Sequence, residues 1–321
     1  MRKLLSVCVT TYNQRRYIEC CLESIVTQRL PYGWDMEVLV GDDCSTDGTG
    51  DIVRAFAERH SLIVKPLARE RNLGMFANYR RVHAGARGTC IAHCDGDDYW
   101  AEGKLEKQLR FLEDDPACPA VFTNAIVVAD DDRRIGVFSS GIPSSFDAAF
   151  LIGRGNCLTH SSMMYRADLR EAMIPASGGF IDFQLYIALL RHGRLGFLEE
   201  YLTCYRSHNQ SSVTLTSREL IRQLYWQALS TVGPNDAPAS SRAAAKANFL
   251  AGIAQRELNG GDLRKVREWA AVVLRSAPGQ QAGLLIGVGL SLCRSLSAAV
   301  GRRLLRRAGL QKAQDRVFHP R

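Results

Sequence analysis

The sequence predicts an α/β fold: a mixed, mainly parallel sheet flanked by helices, followed by an α-helical C-terminal appendix. Three observations carry this expectation. Apolar runs alternate with amphipathic segments through the first hundred residues. The runs are near-continuous in hydrophobicity, as in strands covered on both faces. From about residue 217 onward, strand signals stop and helical periodicity takes over.

The elements follow in order. "LLSVCVT" (4–10) reads as a buried strand, and 16–28 as a helix with Ile18, Cys21, Leu22, Ile25 and Val26 on one side. "MEVLVG" (36–41) is a second strand. A helix covers 46–59, capped by Ser45 or Thr46, with Asp47 in its first turn. "SLIVK" (61–65) is a short third strand, 74–86 a helix ending near Gly88, and "TCIAHC" (89–94) a fourth strand. A charged helix (102–113) and a strand (119–128) come next, then "ADDDRRIG" (129–136), a hairpin turn with solvated aspartates. "LTHSSMMYR" (158–166) reads as a strand and 182–192 as a helix. "LGFLEEYLTCYRSHNQSSV" supplies a last short strand and a polar loop. Two further helices meet at a Gly-Gly-Asp turn, and the second ends at Pro278. They resemble one unit of a helical repeat, but no second copy follows. The division is 1–215 for the main domain, 216–280 for a helical hairpin, and 281–321 for a basic, apolar-rich tail helix.

With 321 residues and 46% apolar content, the chain has a full core and is not disordered. Ten scattered cysteines show no zinc-site spacing. Cys90, His93 and Cys94 lie in an apolar run and read as buried core residues. A chain of this size needs no disulfides, so a reducing cytoplasm is expected. The N-terminal "MRKLLSVCVTTYNQ" is too short in its apolar run for a signal peptide and is better explained as the first strand.

Net charge is +8, of which +7 lies from Arg294 onward. The body is thus no nucleic-acid-binding surface. Within 281–300, Leu284, Val288 and Leu292 begin an apolar i, i+4 row that continues through Leu296, Val300 and Leu304. Arg294 interrupts the stretch at a cost of about 2.5–3.5 kcal/mol for a spanning helix. A helix lying on an anionic leaflet fits better, held by Arg302, Arg303, Arg306 and Arg307. The expected location is the cytoplasm, peripheral on the inner face of the plasma membrane.

In an open parallel sheet, ligands bind beyond the carboxyl ends of the strands. Polar clusters stand at four such ends: Thr10, Thr11, Tyr12 and Asn13; Asp42 and Asp43; Arg71 and Asn72; Asp95, Asp97 and Asp98. Each has a plainer alternative as a turn, cap or surface residue, and their convergence outweighs any one of them. A calcium loop starting at Asp43 fails, because its twelfth position is Arg54. Asp95 and Asp97 stand at i and i+2, so both can face one side. Such a pair suits Mg²⁺ or Mn²⁺ shared with phosphate oxygens. No Walker sequence and no G-x-G-x-x-G follow the strands, so the phosphates of a nucleotide would be held by metal and side chains.

"VCVTTYNQRRYIECCLESIVTQ", "VLVGDDCSTDGT", "NLG" and "CIAHCDGDDYW" together resemble family-2 glycosyltransferases of the GT-A fold. "IDFQLYIALLRHG" and "YRSHNQSS" extend the likeness to about residue 213. The resemblance implies an inverting, metal-dependent transferase of the hexosyltransferase type. Its donor would be a nucleotide-diphosphate sugar and its acceptor a glycan or lipid-linked hydroxyl, in cell-surface polysaccharide synthesis. Position by position, Thr10 and Tyr12 line the base pocket, Asp42 and Asp43 meet the nucleobase, Asp95 faces ribose and sugar, and Asp97 binds the metal. Arg71 and Asn72 border the donor site. His208, or Arg206, reaches phosphate or metal from a closing loop. Asp182 is the base, although the family's usual preceding acid is Ile181 here. An aspartate in a first helical turn also stabilises the helix dipole by ~0.3–1 kcal/mol without any catalytic role.

Two other readings compete. A sugar nucleotidyltransferase would want a glycine-rich basic loop where "TTYNQRR" stands. A non-catalytic nucleotide-sugar-binding module docked to membrane would keep ligand affinity without Asp182.

Overall fold

The computed structural model of the protein describes residues 2–67, 70–207, 218–260, 263–307 and 316–319. β1 (Lys3–Thr11) is the spine of a single mixed sheet. It pairs in parallel with β2 (Trp34–Asp42) on one side and β4 (Cys90–Asp95) on the other. β3 (Val64–Pro66) extends the sheet in parallel beyond β2. Beyond β4 the direction reverses at β9 (Met164–Arg166), which is antiparallel to both β4 and β6 (Ala120–Val128). β7 (Arg134–Ser139) continues from β6. The long β10 (Leu195–Arg206) runs parallel to β6. Its remaining contacts are the short antiparallel strands β5 (Tyr99–Trp100) and β8 (Ser145–Phe146).

The alternation of side chains along β1 builds two cores at once. Leu5, Val7 and Val9 pack on α1 (Ile18–Val26), α2 (Thr49–Arg59) and α4 (Lys104–Asp114), through Ile18, Leu22, Phe56 and Leu109. Cys8 faces the opposite layer, with Tyr79 and Val82 of α3 (Met75–Gly85) and Phe183 and Tyr186 of α6 (Asp182–Leu190). Fully burying each large side chain contributes about 1.5–3 kcal/mol, so this double cover fixes the register of β1. That register sets Thr10 beside Gly41 and Asp95, and Thr11 beside Asp42.

At the amino end of the sheet, Glu37 is buried among cations. Its carboxylate accepts from Ser6, Lys65 and Arg87 at 2.8, 3.0 and 2.9 Å. Burial alone would raise its pKa, but the hydrogen bonds from Arg87, Ser6 and Lys65 outweigh that and bring it down to about 2. Glu37→Gln should therefore destabilise the fold by about 1–3 kcal/mol at pH 7. A depressed carboxylate adds stability above its unfolded pKa and loses it as pH falls toward the folded value. The gap between variant and parent, measured by urea unfolding, should thus close between about pH 4 and pH 2.

The appendix consists of α7 (Arg218–Ser230), α8 (Ala239–Gly260), α9 (Leu263–Arg275) and α10 (Gln281–Arg307). Leu250 and Ile253 of α8 meet Trp269 and Val273 of α9 and Leu284 of α10 in a small core of their own. A column of stacked rings ties it to the main domain, running from Phe183 through Tyr225 to Phe249 at centroid spacings of 4.6 and 5.8 Å. Asn248 of α8 also donates to the carbonyl of Gly153, in α5 (Ala148–Arg154), at 2.9 Å.

Two expectations about the tail change. Of the expected row, Leu284 is buried and Val288 packs on the same core, while the side chains of Leu296, Val300 and Leu304 lie outside those described. Among the described residues of α10, the large apolar side chains left in solvent are Leu285, Ile286 and Leu290. Nor is the tail one helix. α10 is described as far as Arg307, and β11 (Val317–His319) adds a parallel strand to the edge of β7. "VFH" is too short to read as a strand alone; it is ordered by pairing. α5, β5 and β8 also lack a periodic signal for the same reason of length.

Candidate active site

The carboxyl ends of β1, β2 and β4 deliver their polar residues to one edge, as expected. Asp95 ends β4 with its side chain 44% exposed to the cleft. It accepts from the Thr10 hydroxyl at 3.1 Å and lies 3.2 Å from His93 Nε2. Ser161 holds it from the second half of the chain: its hydroxyl receives the Asp95 amide at 3.0 Å and reaches the carboxylate at 3.4 Å. Burial would push Asp95 up, but His93, then His160 and Thr10, outweigh it and hold the carboxyl at about 2.

The three acids of "DGDD" do not share one setting. Asp98 is buried, and burial followed by repulsion from Asp97 and Asp95 raises it well above the carboxylate range. It accepts the Arg206 amide at 2.8 Å. The turn thus presents Asp95 and the half-buried Asp97, while Asp98 is structural. Gly96 lets this turn press on the first loop. Its amide donates to the Thr10 carbonyl at 2.9 Å, and a Cβ there would meet Gln14 Oε1 at 2.6 Å and Thr11 Cβ at 2.8 Å. Gly96→Ala should cost about 1–3 kcal/mol by overpacking, seen as a lower urea midpoint, and should displace Asp95 and Asp97 together.

Arg206 is not available to a phosphate. Its guanidinium donates to the Asp97 carbonyl at 3.0 Å, the Ala129 carbonyl at 3.0 Å and Asp132 at 2.6 Å, and lies 4.4 Å from the Tyr17 ring centroid. Tyr17 in turn donates to Asp130 at 3.2 Å. The aspartates of the β6–β7 turn are therefore not merely solvated; two of them fasten that turn over the "DGDD" loop. The expectation for His208 falls on a residue outside those described.

On the β2 side, Asp43 is buried and accepts the Leu73 and Gly74 amides at 3.1 and 2.8 Å. It fixes the loop that carries the exposed Arg71 and Asn72. Asn72 itself accepts the Gly74 amide at 3.0 Å. Asp42 receives the Ser45 hydroxyl and amide, so it shapes the β2–α2 turn. Tyr12 stands 48% exposed beside them.

Asp182 opens α6 with its side chain 45% exposed, 3.9 Å from His160 Nδ1. Burial of its surroundings, then repulsion from Asp95, raises its pKa to about 7; the exposed part moderates that rise. Below both acids lies a floor of rings that the sequence did not signal. His83 Nδ1 meets the Tyr165 hydroxyl at 2.8 Å, and His83 Nε2 meets His93 Nδ1 at 3.0 Å. His93 packs on His160 at a centroid distance of 4.4 Å. His160 Nδ1 faces Tyr186 at 3.2 Å and Asp182 at 3.9 Å. The one hint was three polar residues, His160, Ser161 and Ser162, inside an apolar run.

The family model Glycosyl transferase family 2 matches residues 6–173. The chain belongs to glycosyl transferase family 2. Among curated relatives of this family-2 chain, an uncharacterized protein of Mycobacterium tuberculosis is 33% identical over 208 residues, 64% of this chain and 59% of that protein. The chain thus aligns with less than two thirds of that relative's length. The putative teichuronic acid biosynthesis glycosyltransferase TuaG of Bacillus subtilis is 32% identical over 65% of this chain and 81% of its own. Among solved structures, S. aureus TarS 1–349 in complex with UDP-GlcNAc superposes with a TM-score of 0.64 at 20% identity, covering 88% of this chain and 84% of that one. The mannosyltransferase PcManGT from Pyrobaculum calidifontis, in complex with GDP-Man and Mn2+, gives 0.55 at 18% identity, covering 98% and 85%. These two establish the GT-A-like fold of this family-2 member.

A divalent ion fits the donor set only as a shared ligand. Among the described residues no group of three or more His, Cys, Asp or Glu side chains is placed to hold a metal. Asp97 with Asp95 supplies hard carboxylate oxygens of the kind Mg²⁺ or Mn²⁺ takes together with substrate phosphates and water.

Proposed function

We propose that this chain is an inverting glycosyltransferase that moves a sugar from a nucleotide-diphosphate donor to a hydroxyl of a glycan or lipid-linked acceptor. The observation that carries the reading is the opposed tuning of two acids across one cleft. Asp95, at the end of β4, is held ionised, while Asp182, at the start of α6, is raised to about 7. Carboxylates whose environments push them apart divide into separate roles. Asp182 is then matched to take a proton near neutral pH.

In the reaction the acceptor O–H bond breaks and its proton passes to the Asp182 carboxylate. The freed oxygen attacks the anomeric carbon, and the bond from that carbon to the diphosphate oxygen breaks on the opposite face. The electron pair leaves with the nucleoside diphosphate, which gives inversion. Asp95 binds the ribose–sugar side, and Thr10, Tyr12, Asp42, Asp43, Arg71 and Asn72 border the nucleotide. A divalent ion, when bound at Asp97, supplies Lewis-acid stabilisation of the leaving diphosphate.

The relatives TuaG, named for teichuronic acid biosynthesis, and the E. coli glucosyltransferase WfaP, named for a diphosphoundecaprenol-linked substrate, support a cell-surface polysaccharide acceptor. No helix among the described residues is long and apolar enough to cross a membrane. We place contact with an anionic leaflet on the outward Leu285, Ile286 and Leu290 of α10, in a segment whose sequence is rich in arginine. Such a helix would hold the protein peripherally on the inner face of the plasma membrane.

The test is a panel of nucleotide sugars with Mg²⁺ or Mn²⁺, scored for released nucleoside diphosphate and for protection against thermal unfolding. Release and protection by at least one donor are expected. Folded protein that responds to none would overturn the reading.

A further inference from the structure

His160 sits 6% exposed between the two acids, and nothing above gives it a role. Burial, then the neighbouring His93, pushes its pKa well below the usual histidine range, so the ring is neutral and carries one N–H. One nitrogen has partners: Nδ1 lies 3.2 Å from the Tyr186 hydroxyl and 3.9 Å from Asp182 Oδ1. The other, Nε2, is buried with no hydrogen-bond partner. The two tautomers are therefore unequal. With the proton on Nε2, a buried N–H is left unpaired, which is disfavoured. With the proton on Nδ1, the N–H faces the Tyr186 oxygen and the Asp182 carboxylate, and only a lone pair is orphaned.

We propose that His160 is the positioning residue for the base: its Nδ1–H holds the Asp182 carboxylate toward the cleft and favours the acid's charged, proton-accepting form. The inference rests on the assignment of Asp182 as base. A long Asp182···Nδ1 separation of 3.9 Å suits a contact that tightens when substrate fills the cleft. Tyr186 shares the same edge and competes for the proton, so its hydroxyl is not required.

Substitutions at His160 separate this role from packing. Asn can place an amide donor near the Nδ1 position; Gln reaches instead toward Nε2; Leu fills the space alone. With the best donor from the panel, kcat should fall at least 10-fold in His160→Leu and His160→Gln. KM for the donor should stay within 2-fold, and His160→Asn should recover most of the loss. Tyr186→Phe should keep at least half of kcat. In an Asp182→Asn background, His160→Leu should have no further effect, because the two act as a unit. Equal losses in Asn, Gln and Leu, or a Tyr186→Phe loss as large as that of Leu, would overturn the proposal. If Asp182→Asn itself retained turnover, the base assignment would fail first, and the two failures are thus told apart. A readout free of activity completes the test. ¹⁵N-histidine NMR at pH 7, assigned against His160→Asn, should show His160 as the neutral Nδ1–H tautomer. An Nε2–H signal would refute it.

Discussion

Asp182→Asn should lower release of nucleoside diphosphate by about 10²–10⁴-fold, the range for a lost general base. Asn has nearly the shape of Asp but cannot accept the acceptor's proton. Donor binding, read as thermal protection by UDP or GDP with Mn²⁺, should be unchanged, since Asp95 and the loop fixed by Asp43 remain. A non-catalytic binding module would show the same protection with no turnover to lose. The pH profile supplies a second check. Because burial and Asp95 raise Asp182 to about 7, activity should fall as pH drops through about 7. The linkage to stability has the opposite sign. An acid raised in the folded state binds more protons there than when unfolded, so it costs stability as pH rises from about 4 to about 7. Asp182→Asn should therefore resist urea better than the parent at pH 8, with the advantage shrinking as pH falls from about 7 to about 4. Higher stability together with lost turnover is the expected signature of a site that carries strain for function.

Asp97→Asn should remove about 100-fold of turnover. Metal stabilisation of a leaving diphosphate is worth several kcal/mol, and each ~1.4 kcal/mol is tenfold in rate. Unlike Asp182→Asn, it should also abolish the difference in nucleotide protection between Mn²⁺ and EDTA. The fold should survive, because the turn has several supports besides the Asp97 carboxylate. Asp98 takes the Arg206 amide, Arg206 holds the Asp97 carbonyl, and Gly96 seats against Thr10. A variant with full turnover, or with undiminished metal-dependent protection, would remove Asp97 from the ion's ligands.

The sheet and its polar edge were legible because β1, β2 and β4 each announce themselves twice, by an apolar run and by the polar residues that end it. Thr10, Asp42 and Asp95 all fall where that rule places them. What was not legible depends on contacts between distant segments. Nothing local marks Asp98 as the buried member of its cluster; it accepts the amide of Arg206, from more than a hundred residues away. Likewise Arg206 looks like a phosphate ligand in "YRSH" and turns out to clamp a loop. The histidine floor drew no attention because His83, His93 and His160 lie far apart in the chain and each resembles an ordinary core residue. Short strands such as Val317–His319 are invisible for a related reason: their order comes from a partner.

The seating of Val317–His319 against β7 has a mechanical corollary. Beyond Arg206 the described residues hold four helices, α7 to α10, and Val317–His319 rejoins the same sheet at its far rim. A surface carried on such a closed circuit cannot swivel as one on a single leash would. If α10 rests on a bilayer, the cleft keeps one height and one tilt above it. An acceptor presented from that bilayer would then be met at a constant angle, and linkage position would be set by geometry as much as by pocket chemistry.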